Sequence, residues 1–241
     1  MVKVDNVYQK VLALANKEQR GYITPQEFNL FADQAQMEIF EQYFYDLSQF
    51  ERRPGSNTQH VDLKDMIEEK LARFVKSMQA NTGSPTPMRP DYVPDFYKLD
   101  SVYLSNGNTF EVLATVEKVT VDEIINVQTA PLTKATNRRP LYRFSNHALT
   151  FNPPENPLGN YIIFYKAKPK KPNWTYVIDP TTKNALYNPN ASDHQDFELH
   201  PAEESKLVIK ILQLTGVNMK DYNLVQVAGQ KEVSVIQQEK Q

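Results

Sequence analysis

Ile23-Thr24-Pro25-Gln26-Glu27-Phe28 opens a long helix, and the reading of the chain works outward from it. Thr24 suits the N-cap, where its hydroxyl accepts from a free backbone N–H of the first turn. Pro25 takes the first helical position, where a missing N–H costs nothing and φ is already helical. Glu27 completes a capping box by reaching back to the cap amide, and Ile23 can pack on Phe28 as a hydrophobic staple. Neither Pro nor Gly follows until Pro54. A helix is therefore expected from Thr24 to Gln49, roughly 35–40 Å long at about 1.5 Å per residue.

On a helical wheel, Phe28, Phe31, Ala35, Ile39, Tyr43, Leu47 and Phe50 form one stripe, widened by Leu30, Met37, Phe40 and Phe44. The apolar arc exceeds half the circumference, whereas a surface helix needs a stripe of about 100°. Such a helix must be covered from at least two sides, by its own chain, by a neighbouring subunit, or by both. Phe40, Tyr43, Phe44 and Leu47 are the candidate intersubunit residues on this helix.

The composition narrows the function classes. The chain of 241 residues is long enough for one large domain or two small ones. Its net charge of −2 gives no global attraction to nucleic acid or anionic membranes. It has no cysteine, which removes disulfides and thiolate metal sites and fits a reducing cytoplasm. No hydrophobic signal region is expected at the N-terminus, and no apolar run approaches the roughly 20 residues of a membrane span. With 7 Gly against 16 Pro, phosphate-cradling loops are disfavoured, and ordered loops and edge strands are favoured after residue 84.

Around the long helix, the expected fold class is α+β: an N-terminal helical bundle, then a mostly antiparallel β-rich domain, then C-terminal helices. Asp5 or Asn6 caps a first helix carrying Val7, Tyr8, Val11 and Leu12. Asp62 or Asp65 starts a third, with Met66, Ile67, Leu71, Phe74, Val75 and Met78 on one face, so that residues 1–80 form the bundle. Four prolines make residues 81–95 a stiff linker. Residues 96–200 form the β-rich domain. Tyr97–Leu104 and Thr109–Val116 flank Asn106-Gly107, a strong hairpin signal. Thr120-x-x-Glu123 caps a short helix to Gln128, expected to turn Ile124, Ile125 and Val127 inward. Leu141–Phe144 and Ala148–Phe151 form a second hairpin, and Tyr161–Tyr165 is a strongly apolar strand. After the basic loop from Lys166 to Asn173, the stretch to Ser192 reads as irregular, and Phe197-Glu198-Leu199 as a brief strand. Residues 201–241 give C-terminal helices packing back on the body, the first stopped by Gly216 and the second running from Asp221.

No motif carries chemistry. Arg20 to Phe28 imitates the second half of an EF-hand loop. The early ligand positions, however, hold Asn16, Glu18 and Arg20, and a guanidinium repels calcium. Among His60, His147, His194 and His200, the last two are six residues apart, which is not a zinc-ligand spacing. Nucleophile elbows, Walker loops and dinucleotide fingerprints are missing. The expectation is a protein that is not an enzyme and needs no cofactor.

Charge is segregated along the chain. Lys134, Arg138, Arg139, Arg143, Lys166, Lys168, Lys170 and Lys171 stand against Glu155 alone, while Asp193, Asp196, Glu198, Glu203 and Glu204 follow without a cation between them. A solvated loop beside an acidic helix start accounts for this. So does contact between the basic middle of one copy and the acidic segment of the next. In a third reading Lys168, Lys170 and Lys171, with Trp174 and Tyr176, touch single-stranded nucleic acid. Lys168, Lys170, Lys171 and Trp174 therefore complete the candidate interface set.

Two regions resemble virion structural proteins of tailed bacteriophages, of the crAss-like and marine phage type. One joins Pro140-Leu141-Tyr142, Thr150-Phe151-Asn152-Pro153, Phe164-Tyr165-Lys166-Ala167-Lys168-Pro169 and Asp196-Phe197-Glu198-Leu199-His200 to the Leu/Ile helix closing at Gly216. The other runs from Lys17 to Phe31 into the aromatic helix. The resemblance implies a non-enzymatic virion component, with a head–tail connector (adaptor or neck ring) as the main expectation and a tail or baseplate component as the alternative. It further implies a homo-oligomer, a twelve-subunit ring, meeting the portal protein and other neck or tail proteins. Packaged DNA would at most pass through the channel, and no membrane is involved. An accessory protein handling nucleic acid is the alternative from another class.

Overall fold

A computed structural model describes residues 1–17, 23–52, 58–80, 85–88, 92–106 and 111–218, with the backbone alone for 16–17, 50–52, 58–63 and 217–218. Several expectations lie outside these residues: most of the EF-hand-like loop, the packing of Phe50, the role of His60, the Gly107–Phe110 part of the first hairpin, and the helix from Asp221. The fold is α+β. Its contacts divide it into two compact units, Met1–Lys70 with Pro169–Gln241, and Leu71–Lys168.

In the first unit, α1 (Val4–Lys17), α2 (Pro25–Arg52), most of α3 (Thr58–Ala72) and α5 (Glu204–Asn218) accompany the two-stranded ribbon of β9 (Tyr176–Ile178) and β10 (Ala185–Tyr187). The expected capping box opens α2. The Glu27 amide donates to the Thr24 hydroxyl at 3.3 Å, and the Thr24 amide donates to the Glu27 carboxylate at 3.1 Å. Neither Asp5 nor Asn6 caps α1. It begins at Val4, whose amide donates to the Asp196 carboxylate at 2.8 Å.

The buried face of α2 consists of Phe28, Ala32, Ala35, Gln36, Ile39, Phe40 and Tyr43. Phe31, Met37, Phe44 and Leu47 lie half-buried at its margins, and Leu30 is 62% exposed. Both α1 and α2 pack against α5, whose Leu207, Val208, Ile211 and Leu212 are buried. The chain itself thus encloses the middle of the wide apolar arc. Gly216 does not stop α5, which passes through it to Asn218.

The second unit is a sandwich of two four-stranded sheets. One has the order β1-β8-β3-β4, from β1 (Val75–Gln79), β3 (Phe96–Ser105), β4 (Val112–Thr115) and β8 (Asn160–Ala167). The other has the order β2-β7-β6-β5, from β2 (Thr86–Pro87), β5 (Glu117–Lys118), β6 (Leu141–Ser145) and β7 (Ala148–Asn152). All pairings are antiparallel except β5 with β6. Strand β8 alternates as strand geometry dictates. Tyr161, Ile163, Tyr165 and Ala167 point into a core shared with Val102 and Leu104 of β3, Tyr142 of β6, and Leu149 and Phe151 of β7. The β6–β7 hairpin turns through Asn146 and His147, at φ 50° and 53°. Two left-handed residues in a row match the twist of the strands they join.

Three sequence expectations are corrected here. Val75 and Met78 belong to no helix: α3 ends at Ala72, and residues 75–79 pair with β8, so the helical segment is shorter than residues 1–80. Residues 86–88 are no spacer, since β2 pairs with β7 and Met88 is buried in the sandwich core. Residues 169–200 belong with the helices rather than with the sandwich. The short helix α4 (Val121–Thr129) has the expected Thr120/Glu123 capping box and a buried Ile124, but Ile125 faces outward, 68% exposed.

Candidate assembly surface

The residues singled out from the sequence meet different fates. Phe40 and Tyr43 are enclosed by their own chain, at 0% and 3% exposure, and so is Trp174 at 2%. These three therefore offer no surface to a neighbour, because packing within the unit already covers them. Phe44 and Leu47 are half-buried, and the Phe44 ring sits edge-on to Phe40 at 5.1 Å. Lys168, Lys170 and Lys171 are exposed. An indole this deeply buried cannot stack on a nucleotide base, which removes Trp174 from the single-strand reading; Tyr176 is half-buried.

The segment from Lys170 to Trp174 is a strap laid along α2. Asn29, Asp33 and Gln36 are spaced i, i+4, i+7, so they share one helix face. Asn29 accepts from the Trp174 amide at 2.8 Å and donates to the Trp174 carbonyl at 3.2 Å. Asp33 lies 3.8 Å from the Lys171 ammonium. Gln36, fully buried, donates to the Lys170 carbonyl at 2.8 Å and accepts from the Glu198 amide at 3.1 Å. A buried amide with both ends satisfied ties two distant segments to one helix.

The acidic run has partners inside the same unit. Asp193 accepts from the Asn173 side chain, Asp196 caps α1, and Glu198 accepts from the Lys170 amide at 2.9 Å. Glu204 pairs with Lys10 at 2.7 Å. Glu203, 2% exposed, pairs with Lys70 at 2.6 Å, and the Lys70 ammonium also lies 5.7 Å from the centre of the Tyr43 ring.

Trp174 anchors the β9–β10 hairpin. Its indole stacks on Tyr176 at 5.8 Å and on Tyr187 at 5.7 Å, and these tyrosines are cross-strand partners. Tyr8 of α1 lies 4.3 Å away, and the indole N–H donates to Asp5 at 2.9 Å. Burial, followed by the charges of Asp196 and Asp5, raises the Tyr187 hydroxyl above its ordinary pKa. At the turn, Asp179 accepts from the Thr181 amide at 3.0 Å and the Thr182 hydroxyl at 2.7 Å. Those two donors hold its carboxyl below the ordinary aspartate range.

Side chains alternate across a strand, so the face opposite the tyrosines carries the cross-strand pair Val177 and Leu186. They are 55% and 56% exposed, and Ile178 beside them is 58% exposed. Neither strand of this ribbon has a further strand partner among the described residues. An apolar outer face and open strand edges are the features by which a ribbon can pair with or pack against another chain.

No family model and no curated protein matches this chain.

Apolar side chains are also exposed in the sandwich unit, where Val121 and Ile125 of α4 and the nearly fully exposed Leu132 face outward. The histidines do other work. His200 accepts from the Ala202 amide at the start of a short 3-10 turn, His147 sits in the β6–β7 turn, and His194 lies between Tyr187 and Asp196. Among the described residues no group of three or more His, Asp or Glu could hold a metal ion, and no helix is long and apolar enough to cross a membrane.

Sequence reasoning missed the hairpin because its strands are only three residues long. The signal was present, however. Tyr176-Val177-Ile178 and Ala185-Leu186-Tyr187 flank Asp179-Pro180-Thr181-Thr182-Lys183-Asn184, β-formers around a turn-rich segment.

Proposed function

We propose that this chain is a non-catalytic structural subunit of a tailed-phage particle, a head–tail connector whose copies close into a ring between portal and tail. The observation that carries the reading is the Val177–Leu186 pair on the outer face of a hairpin whose inner face is locked onto Trp174. Free apolar surface on a preorganised element favours association, because little ordering entropy is lost on contact. The resemblance of residues 139–216 and of the N-terminal helical region to phage virion proteins supplies the particle. A ring follows when unlike surfaces of neighbouring copies meet repeatedly around an axis. The portal protein and adjoining neck or tail proteins are the further partners, and twelve is the copy number.

Mass photometry and negative-stain imaging of the full chain test this, alone and with purified portal. The expected result is a ring-sized species that falls to monomers when Val177 and Leu186 are both changed to Asp, with the far-UV circular dichroism unchanged. A wild-type protein that stays monomeric at every concentration and does not bind portal refutes it.

A further inference from the structure

The hairpin is held through its two inner tyrosines: Tyr187 meets the His194 ring edge-on at 5.7 Å, and both tyrosines stack on Trp174, whose ring N–H is bonded from the first turn of α1. A two-stranded ribbon of three residues per strand is not stable by itself. The platform shared by both strands is the Trp174 indole, on which Tyr176 and Tyr187 both stack. Asn29 fixes the backbone of Trp174 through both its amide and its carbonyl. That leaves rotation of the indole about its own side-chain bonds, and the bond from its ring nitrogen to the Asp5 carboxylate at 2.9 Å sets that rotation. Tyr8, three residues further along α1 on the same helix face, closes the other side of the ring.

We propose that the Asp5–Trp174 hydrogen bond is a latch: α1 sets the orientation of the indole, and through it the hairpin's presentation of Val177 and Leu186. Asp5 acts through Trp174, as a positioning residue. The role in assembly rests on the connector reading above; the latch itself does not. Without an acceptor at position 5, the buried indole N–H loses its partner. The ring then gains by turning toward solvent, and the tyrosines lose the plane they stack on. Elements with few buried contacts open independently of the rest of a fold, so the effect stays in the hairpin.

The test is amide hydrogen exchange on the full chain, comparing wild type with Asp5→Ala and Asp5→Asn, alongside mass photometry. Asparagine keeps an acceptor oxygen but not the charge. It therefore separates the hydrogen bond from the favourable effect of a carboxylate at a helix N-terminus. In Asp5→Ala, exchange over residues 176–187 rises roughly tenfold or more, as expected for an orphaned buried donor. Exchange in α2 and α5 stays at the wild-type rate, and the oligomer population falls. Asp5→Asn returns both readouts toward wild type. Unchanged hairpin exchange in Asp5→Ala overturns the latch, as does an equal acceleration in α5, which would make the bond part of global stability alone. Faster hairpin exchange with an unaltered oligomer population supports the latch and removes the hairpin from the assembly reading.

Discussion

Replacing Gln36 by leucine probes the joint that ties the strap to α2. Leucine has nearly the same volume and suits a position that is fully buried in the native protein. It cannot donate to the Lys170 carbonyl or accept from the Glu198 amide, bonds of 2.8 and 3.1 Å. Each buried group deprived of such a partner costs about 1–3 kcal/mol. The greater apolarity of leucine offsets up to about 2 kcal/mol. Two such groups cost about 2–6 kcal/mol together, so with this offset the net loss centres on about 3 kcal/mol. Trp174 is the sole tryptophan and lies at the end of the strap, so its fluorescence during urea unfolding reports on this unit directly. With a urea slope of about 2 kcal/mol per M, the midpoint falls by roughly 1.5 M. Gln36→Glu falls further, because it also buries a charge. A midpoint within about 0.2 M of wild type for Gln36→Leu, on the same slope, would refute the claim that these bonds hold the strap.

Other sites extend the same reasoning. A Cβ on Gly159 would stand 2.2 Å from the Ser105 carbonyl oxygen, so Gly159→Ala must push β3 and the start of β8 apart; calorimetry should show a lower melting temperature, for a loss of roughly 2–3 kcal/mol. Lys70→Met strands the buried Glu203 carboxylate and should lower stability by about 3–5 kcal/mol, with much of it recovered by adding Glu203→Leu. The hydrogen bonds at the hairpin turn favour ionised Asp179. Their contribution is present above the ordinary aspartate range and is lost as the pH falls through the lowered pKa. In an NMR titration the Thr181 amide should inflect below the ordinary aspartate value of 3.8, and an inflection at or above it would contradict the turn geometry.

Local signals were the legible ones. The Thr24/Glu27 and Thr120/Glu123 capping boxes, the β6–β7 turn and the alternation of β8 all act over a few residues, and each appears where the sequence puts it. Misreadings arose where distant partners override local pattern. Phe74, Val75 and Met78 continue the helical spacing of α3. Pairing of residues 75–79 with residues 162–166 nevertheless takes Val75 and Met78 into a sheet, with Phe74 in the turn before it. Asp196 caps a helix 192 residues away, a relation no local window contains.

The candidate surface follows the same division. An over-wide apolar arc on α2 was visible, but only packing could show that α1 and α5 lie against it and that Gln36 belongs to its buried face. The trace of the strap in the sequence is polar: Asn29, Asp33 and Gln36 at helical spacing along one face of α2. Trp174 drew notice as a possible contact for another molecule. Its value lies instead in holding the tyrosines of the hairpin inward, which leaves Val177 and Leu186 as the apolar outer face.

Imaging an intact particle that carries this chain, with a tag on the protein to mark it, tests the connector proposal most directly. The account predicts a closed ring of twelve tagged copies at the portal vertex, with the Val177–Leu186 face of each hairpin covered by a neighbouring chain. Label spread over the capsid or confined to the distal tail would contradict it, as would a ring whose hairpins project bare into solvent.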